Sequence, residues 1–220
     1  MIAMATYPAS LPYVQGASRS SQIVSLPPKK RRKVGKVLRN INIKPSDYVR
    51  SAFKANGFVV DEVKIEAQKS FIKPTKEMLE AYQPEVLNCV RRNELVELQK
   101  LHKAGLLMNC CNKFGESLLH LACRRGYTSI VRYLVEEVKV NVHIRDDYLR
   151  TPLHDACWTT QPEYELVDVL LKAAPAHMVL EDARGFTPFD YVRREHHGKW
   201  LRFLWERKDS LHPRQENKIE

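Results

Sequence analysis

One short apolar pattern returns along the second half of the chain at a nearly fixed interval, and an interval of that size leaves few folds open. Ser117-Leu118-Leu119-His120-Leu121-Ala122 is followed by Thr151-Pro152-Leu153-His154-Asp155-Ala156, and then by Thr187-Pro188-Phe189-Asp190, at spacings of 34 and 36 residues. Behind each start lies a second patch of helical spacing: Ile130, Val131, Tyr133 and Leu134, then Leu166, Val167, Val169 and Leu170, then Trp200, Leu201, Phe203 and Leu204. Each unit reads as helix, turn, helix and a loop carrying Asn112, Asp146 or Asp182. A unit this short cannot cover its own apolar face, so its neighbours must, and about three units are the working minimum. Stepping back 33 residues from Ser117 reaches Pro84, where Val86, Val90, Leu95, Leu98 and Leu101 supply a degenerate first unit.

The pattern resembles the ankyrin repeat, whose signature T-P-L-H-x-A is matched in full at Thr151 to Ala156. Ser117 and Leu118 replace Thr and Pro in the unit before, and Phe189 and Asp190 replace Leu and His in the unit after. The resemblance implies an all-α solenoid of about four repeats over residues 84–207. Physical chemistry accounts for the motif: a hydroxyl caps the first helix, and proline suits a first turn that needs no donor. Gly115 and Gly185 stand where the finger loops need positive φ. Leu149 holds the third such position, and there it either strains the backbone by about 1 kcal/mol or reshapes the finger. The resemblance further implies that His120 and His154 brace neighbouring turns, and that Asp190 cannot do so in the same way.

The formal charge of +10 is unevenly spread. Residues 1–80 hold 15 Lys and Arg against 6 Asp and Glu, while the remainder is nearly balanced. No acid precedes Asp47, and the first 28 residues are mostly small, Pro-broken and polar, which predicts disorder without a signal-peptide plan. Within this stretch Lys29, Lys30, Arg31, Arg32 and Lys33, behind Pro27 and Pro28, look like a monopartite nuclear-import signal that an import receptor reads. Nucleic-acid binding through the same tail is the alternative. The organisation expected is a disordered basic tail (1–43), a helical lead-in or cap (44–83), the repeats (84–207) and a polar tail (208–220). No apolar run approaches the ~20 residues a membrane helix needs. The chain is expected to be a monomer in the nucleus, shared with the cytoplasm.

Catalytic and metal chemistry find little support. His120 with Cys123 and His154 with Cys157 repeat an H-x-x-C spacing, but the repeat itself explains it, and the cysteines read as small buried hydrophobes. No phosphate-cradling glycine loop or nucleophile elbow is present. Neither cofactor nor metal is expected. The resemblance places a protein partner on the finger loops and the concave, first-helix face. It selects Phe114, Tyr148, Leu149, Arg150, Arg184 and Phe186 from the loops, and Arg124, Arg125, Asp155, Trp158, Arg193 and Arg194 from the first helices. Arginines beside aromatics suggest a partner with acidic and apolar groups. Residues 75–83 are expected to form a helix capping the first repeat.

Overall fold

Each helical pair begins where a hydroxyl or a proline removes the need for an intrahelical partner, and that rule is visible in the computed structural model, which describes residues 43–208. The lead-in forms α1 (Pro45–Ala55), α2 (Val60–Lys69) and the short α3 (Lys76–Glu80), whose N-cap Thr75 accepts from the Met78 N–H. The repeats follow as α4 (Pro84–Arg91) with α5 (Leu95–Lys103), and α6 (Leu118–Arg125) with α7 (Thr128–Arg132). Next come α8 (Pro152–Cys157) with α9 (Tyr164–Ala173), and a last pair ending in α10 (His197–Glu206). Each first helix packs on that of the next repeat, as α4 on α6 and α6 on α8. All the regular elements among the described residues are helical, and no described helix is long and apolar enough to cross a membrane.

Two pairs depart from a plain helical hairpin. Helix α7 runs directly into a π-helical turn, Tyr133–Glu137, whose Tyr133 hydroxyl lies 2.6 Å from His102 Nδ1 on the previous repeat. In the fourth repeat the first helix shrinks to a 3₁₀ turn, Pro188–Asp190, because the chain leaves helical geometry after Tyr191. The extra residues of the third repeat form a turn after α8. Thr159 Oγ donates to the Ala156 and Gln161 carbonyls, and His196 of the fourth repeat bonds the Thr160 carbonyl at 2.9 Å.

Helices α1 and α2 of the lead-in do not cap the first repeat. Helix α1 packs on α10 and on the 188–190 turn, and α2 packs on the 3₁₀ turn Pro175–Val179, so both cover the far end of the stack. Val49 and Phe53 are fully buried there, and Lys64 pairs with Glu181 at 2.7 Å. The chain then returns along the side of the array. Ile72 donates to the His143 carbonyl at 3.2 Å, and Phe71 stacks on His177 with the Arg145 guanidinium 4.1 Å above its ring. The expected helix forms as α3, with Met78 beside Cys111 and Ile144 at the base of two fingers and Glu77, Glu80 and Ala81 beside Ala104 to Leu107 of the first repeat. Ala81 and Tyr82, just after it, pack against the main core.

Candidate protein-binding face

The fingers are built by one device used three times. Asn112 Oδ1 accepts from the N–H groups of Phe114 and Glu116 at 2.9 and 3.0 Å. Asp146 accepts likewise from Tyr148 and Arg150, and Asp182 from Arg184 and Phe186. The turn between the two donors needs positive φ, which Gly115 and Gly185 adopt at 77° and 81°. Leu149 adopts 60° and keeps the same carboxylate contacts, so this finger carries strain instead of a new shape. Consecutive fingers are stitched together: the Asp147 N–H donates to the Phe114 carbonyl at 2.8 Å, and that of Ala183 to the Tyr148 carbonyl at 2.9 Å.

Histidine locks fingers to helices. His120 Nδ1 accepts from the Ser117 N–H, while Nε2 donates to the Arg150 carbonyl at 3.0 Å. His154 repeats this with Thr151 and the Phe186 carbonyl, at 3.1 Å on each side. Only the neutral Nε2–H form satisfies both ends, and burial pushes His120 below its ordinary value and His154 down to about 4. Both nitrogens of each ring are thereby committed, which leaves no lone pair for a metal ion. Asp190 stands in the third such position and bonds the Thr187 N–H at 2.9 Å, but with no further finger to brace it turns to Arg50 of α1, 3.8 Å away. All five cysteines are free and buried, and burial raises their thiols, Cys110 to about 12, so each is held in its unreactive form.

The residues selected from the sequence separate into three groups. Phe114, Tyr148, Leu149, Trp158 and Phe186 are all exposed, by 52, 59, 45, 54 and 47%. The four aromatics among them are the only strongly exposed aromatic side chains among the described residues. Arg125, Arg193 and Arg194 are exposed and make no ion pair among the described residues, although the last two lie after the shortened turn and not on a first helix. The third group is already engaged. Arg124 reaches Glu116 at 2.6 Å and Asp155 at 2.9 Å, Arg150 takes Asp146 at 2.6 Å, and Arg184 meets Asp182 at 3.6 Å. Asp155 is buried under Arg124 and is a positioning residue rather than a contact, because the longer side chain of the preceding repeat folds over it.

Tyr191 belongs to this face and was not among the selected residues. Its ring lies 5.2 Å from Trp158, 5.8 Å from His154 and 6.2 Å from Phe186, and its hydroxyl joins Asp182 to Arg184. It occupies the same place in its unit as Asp155, 36 residues earlier, and that register is the signal that finds it. Each finger also sets a cation over its aromatic: Lys113 on Phe114 at 5.0 Å, Arg150 on Tyr148 at 5.1 Å and Arg184 on Phe186 at 5.4 Å. Between the first two fingers lies a slot of about 270 Å³. The run Lys29 to Lys33 lies outside the described residues.

Comparison with known proteins agrees with this geometry. Residues 87–182 match the family described as ankyrin repeats, in three copies. The chain is 39% identical over 51 residues to an ankyrin repeat-containing protein of Caenorhabditis elegans, covering 23% of this chain and 4% of that one. It is 30% identical over 114 residues to the ankyrin repeat protein YahD of Escherichia coli (strain K12), covering 50% of this chain and 55% of the relative. A C. elegans protein named glutaminase 2 shares 31% identity over 71 residues, which is 32% of this chain and 12% of that protein. In every case the chain spans less than two thirds of the relative's length.

Proposed function

With residues 87–182 identified as ankyrin repeats, a protein-interaction fold, we propose that this chain is a nuclear adaptor that holds a partner protein on its finger and inner-helix face and has no catalytic chemistry of its own. The observation that carries this reading is the gathering of every strongly exposed aromatic of the described residues on that one face. Large aromatic side chains left in water are costly to keep and are enriched at the centres of interfaces. Trp158 rests against Tyr191, ring centroids 5.2 Å apart, a contact that lowers the entropy lost when a partner covers it. The unpaired Arg125, Arg193 and Arg194 around it suit acidic groups on the partner. The buried, protonated thiols and fully bonded histidines support a role without catalysis.

Affinity capture with the intact chain and with a Trp158→Ala, Arg125→Glu variant tests the reading. A protein captured by the first and lost from the second, at unchanged helical signal, supports it; undiminished capture by the folded variant ends it. The basic run Lys29 to Lys33 supports the nuclear assignment, and its replacement by alanines should leave the protein in the cytoplasm. The excess of base over acid in residues 1–80 favours a second reading, in which the tail holds nucleic acid. Binding of that kind falls steeply as salt rises, whereas the face contact responds less.

A further inference from the structure

We propose that the slot between the first two fingers receives a cationic side chain of the partner, an arginine or a lysine. The proposal rests on the protein-recognition reading above and names what part of the partner must carry. Phe114 and Tyr148 form the two walls, at equivalent places in consecutive repeats, and the Asp147 to Phe114 backbone bond holds them in register. Aromatic walls by themselves accept apolar or cationic groups alike. Charge decides between them.

The slot has Arg124 and Arg150 in its lining against Glu116, Asp146 and Asp147, and Asp155 lies directly beneath Arg124. Counting Lys113 over the Phe114 wall, four acids therefore stand against three bases. Both arginines are already paired, since Arg124 divides its donors between Glu116 and Asp155 while Arg150 gives Nε and Nη2 to Asp146. Burial opposes the charge on Arg124, yet Asp155 and Glu116 outweigh it and hold the guanidinium above its ordinary value. Asp147, exposed at the rim, makes no ion pair among the described residues. An incoming carboxylate would meet Asp147, while Nε and Nη2 of Arg150 and the paired donors of Arg124 are already given to acids of this chain. A guanidinium would lie flat against an aromatic wall and bond Asp147 through its edge, and an ammonium would do the same less well. Both rings already draw cations of this chain, Lys113 to Phe114 and Arg150 to Tyr148. The partner is thereby of mixed charge: basic at the fingers and acidic toward Arg125, Arg193 and Arg194.

The test is an ¹H–¹⁵N shift titration of the full chain with N-acetyl-arginine amide, and with the lysine, leucine and glutamate amides as comparisons. Saturable shifts at the Phe114, Asp147 and Tyr148 amides are expected with arginine, weaker with lysine, and absent with glutamate. Asp147→Asn and Tyr148→Ala, both at exposed sites, should each weaken the arginine response about tenfold. Equal shifts from leucine or glutamate, no saturable shift with arginine, or a response unchanged in both variants overturns the proposal. An empty slot combined with loss of capture in the Trp158 variant removes the slot alone. Arginine binding combined with undiminished capture removes the recognition reading instead.

Discussion

The imidazole of His154 donates from Nε2 to the carbonyl of Phe186, 3.1 Å away and 32 residues further along the chain, while its Nδ1 accepts from Thr151. The bond accepted at Nδ1 requires the neutral ring, and burial lowers its pKa from 6.5 to about 4. The unfolded chain therefore binds more protons between those two values. The stabilisation is complete above pH 6.5, declines as pH falls, and is gone below about 4, a loss of about 3 kcal/mol from this residue. His120 and His177 act in the same direction, the latter lowered to about 3 by burial and by its neighbours His143 and Arg145. Urea midpoints measured from pH 7.5 down to 4 should fall steeply. In His154→Gln the fall should be shallower, and a curve identical to that of the parent would remove His154 from the account.

Gly115 and Gly185 hold the same turn in different fingers and predict unequal costs. A Cβ on Gly115 would lie 2.3 Å from the Arg145 carbonyl oxygen, whereas Gly185 faces open space. Gly185→Ala should lose about 1 kcal/mol from positive φ alone. Gly115→Ala adds a backbone clash and should lose about 3 kcal/mol or more. Chemical denaturation of the two variants reads the difference, and similar losses would show that the first two fingers are not held as closely as described.

At Leu149 the opposite change is expected to help. Its φ of 60° is strained for a branched-chain residue, and its side chain is 45% exposed, so little burial is lost on removal. Leu149→Gly should stabilise by up to about 1 kcal/mol after the greater chain entropy of glycine is subtracted. A raised urea midpoint at unchanged slope is the expected result. If the side chain also belongs to the interface, the same variant captures less partner.

What was legible in the sequence was what is local or periodic. Ser117, Thr151 and Thr187 announce their caps within three residues, the register gave the strained Leu149, and the resemblance to ankyrin repeats gave the histidine braces. The docking of the lead-in was not legible, because the partners of Lys64 and Arg50 lie more than a hundred residues away and no periodicity encodes them. Asp155 shows the same limit on a smaller scale. Its helical position points to the surface, but an arginine from the previous unit covers it. The fourth unit kept its cap and lost its helix: Thr187 and Asp190 form the same capping box as Thr151 and His154, yet only a 3₁₀ turn follows.

The attachment of the lead-in to the far end of the stack makes the last prediction. Phe53 is fully buried on α1, which packs against α10 and the 188–190 turn. Phe53→Ala leaves a large cavity and should cost about 3 to 5 kcal/mol. Because α1 lies at one end of a linear array, the loss should be unevenly felt along it. Amides of α1 and α10 should exchange much faster with solvent, while those of α4 to α7 keep most of their protection. Faster exchange confined to α1, α4 and α5 would place the lead-in on the first repeat instead. Uniform loss across all repeats would mean that the array opens as one unit, with α1 needed for the whole of it rather than for its last repeat.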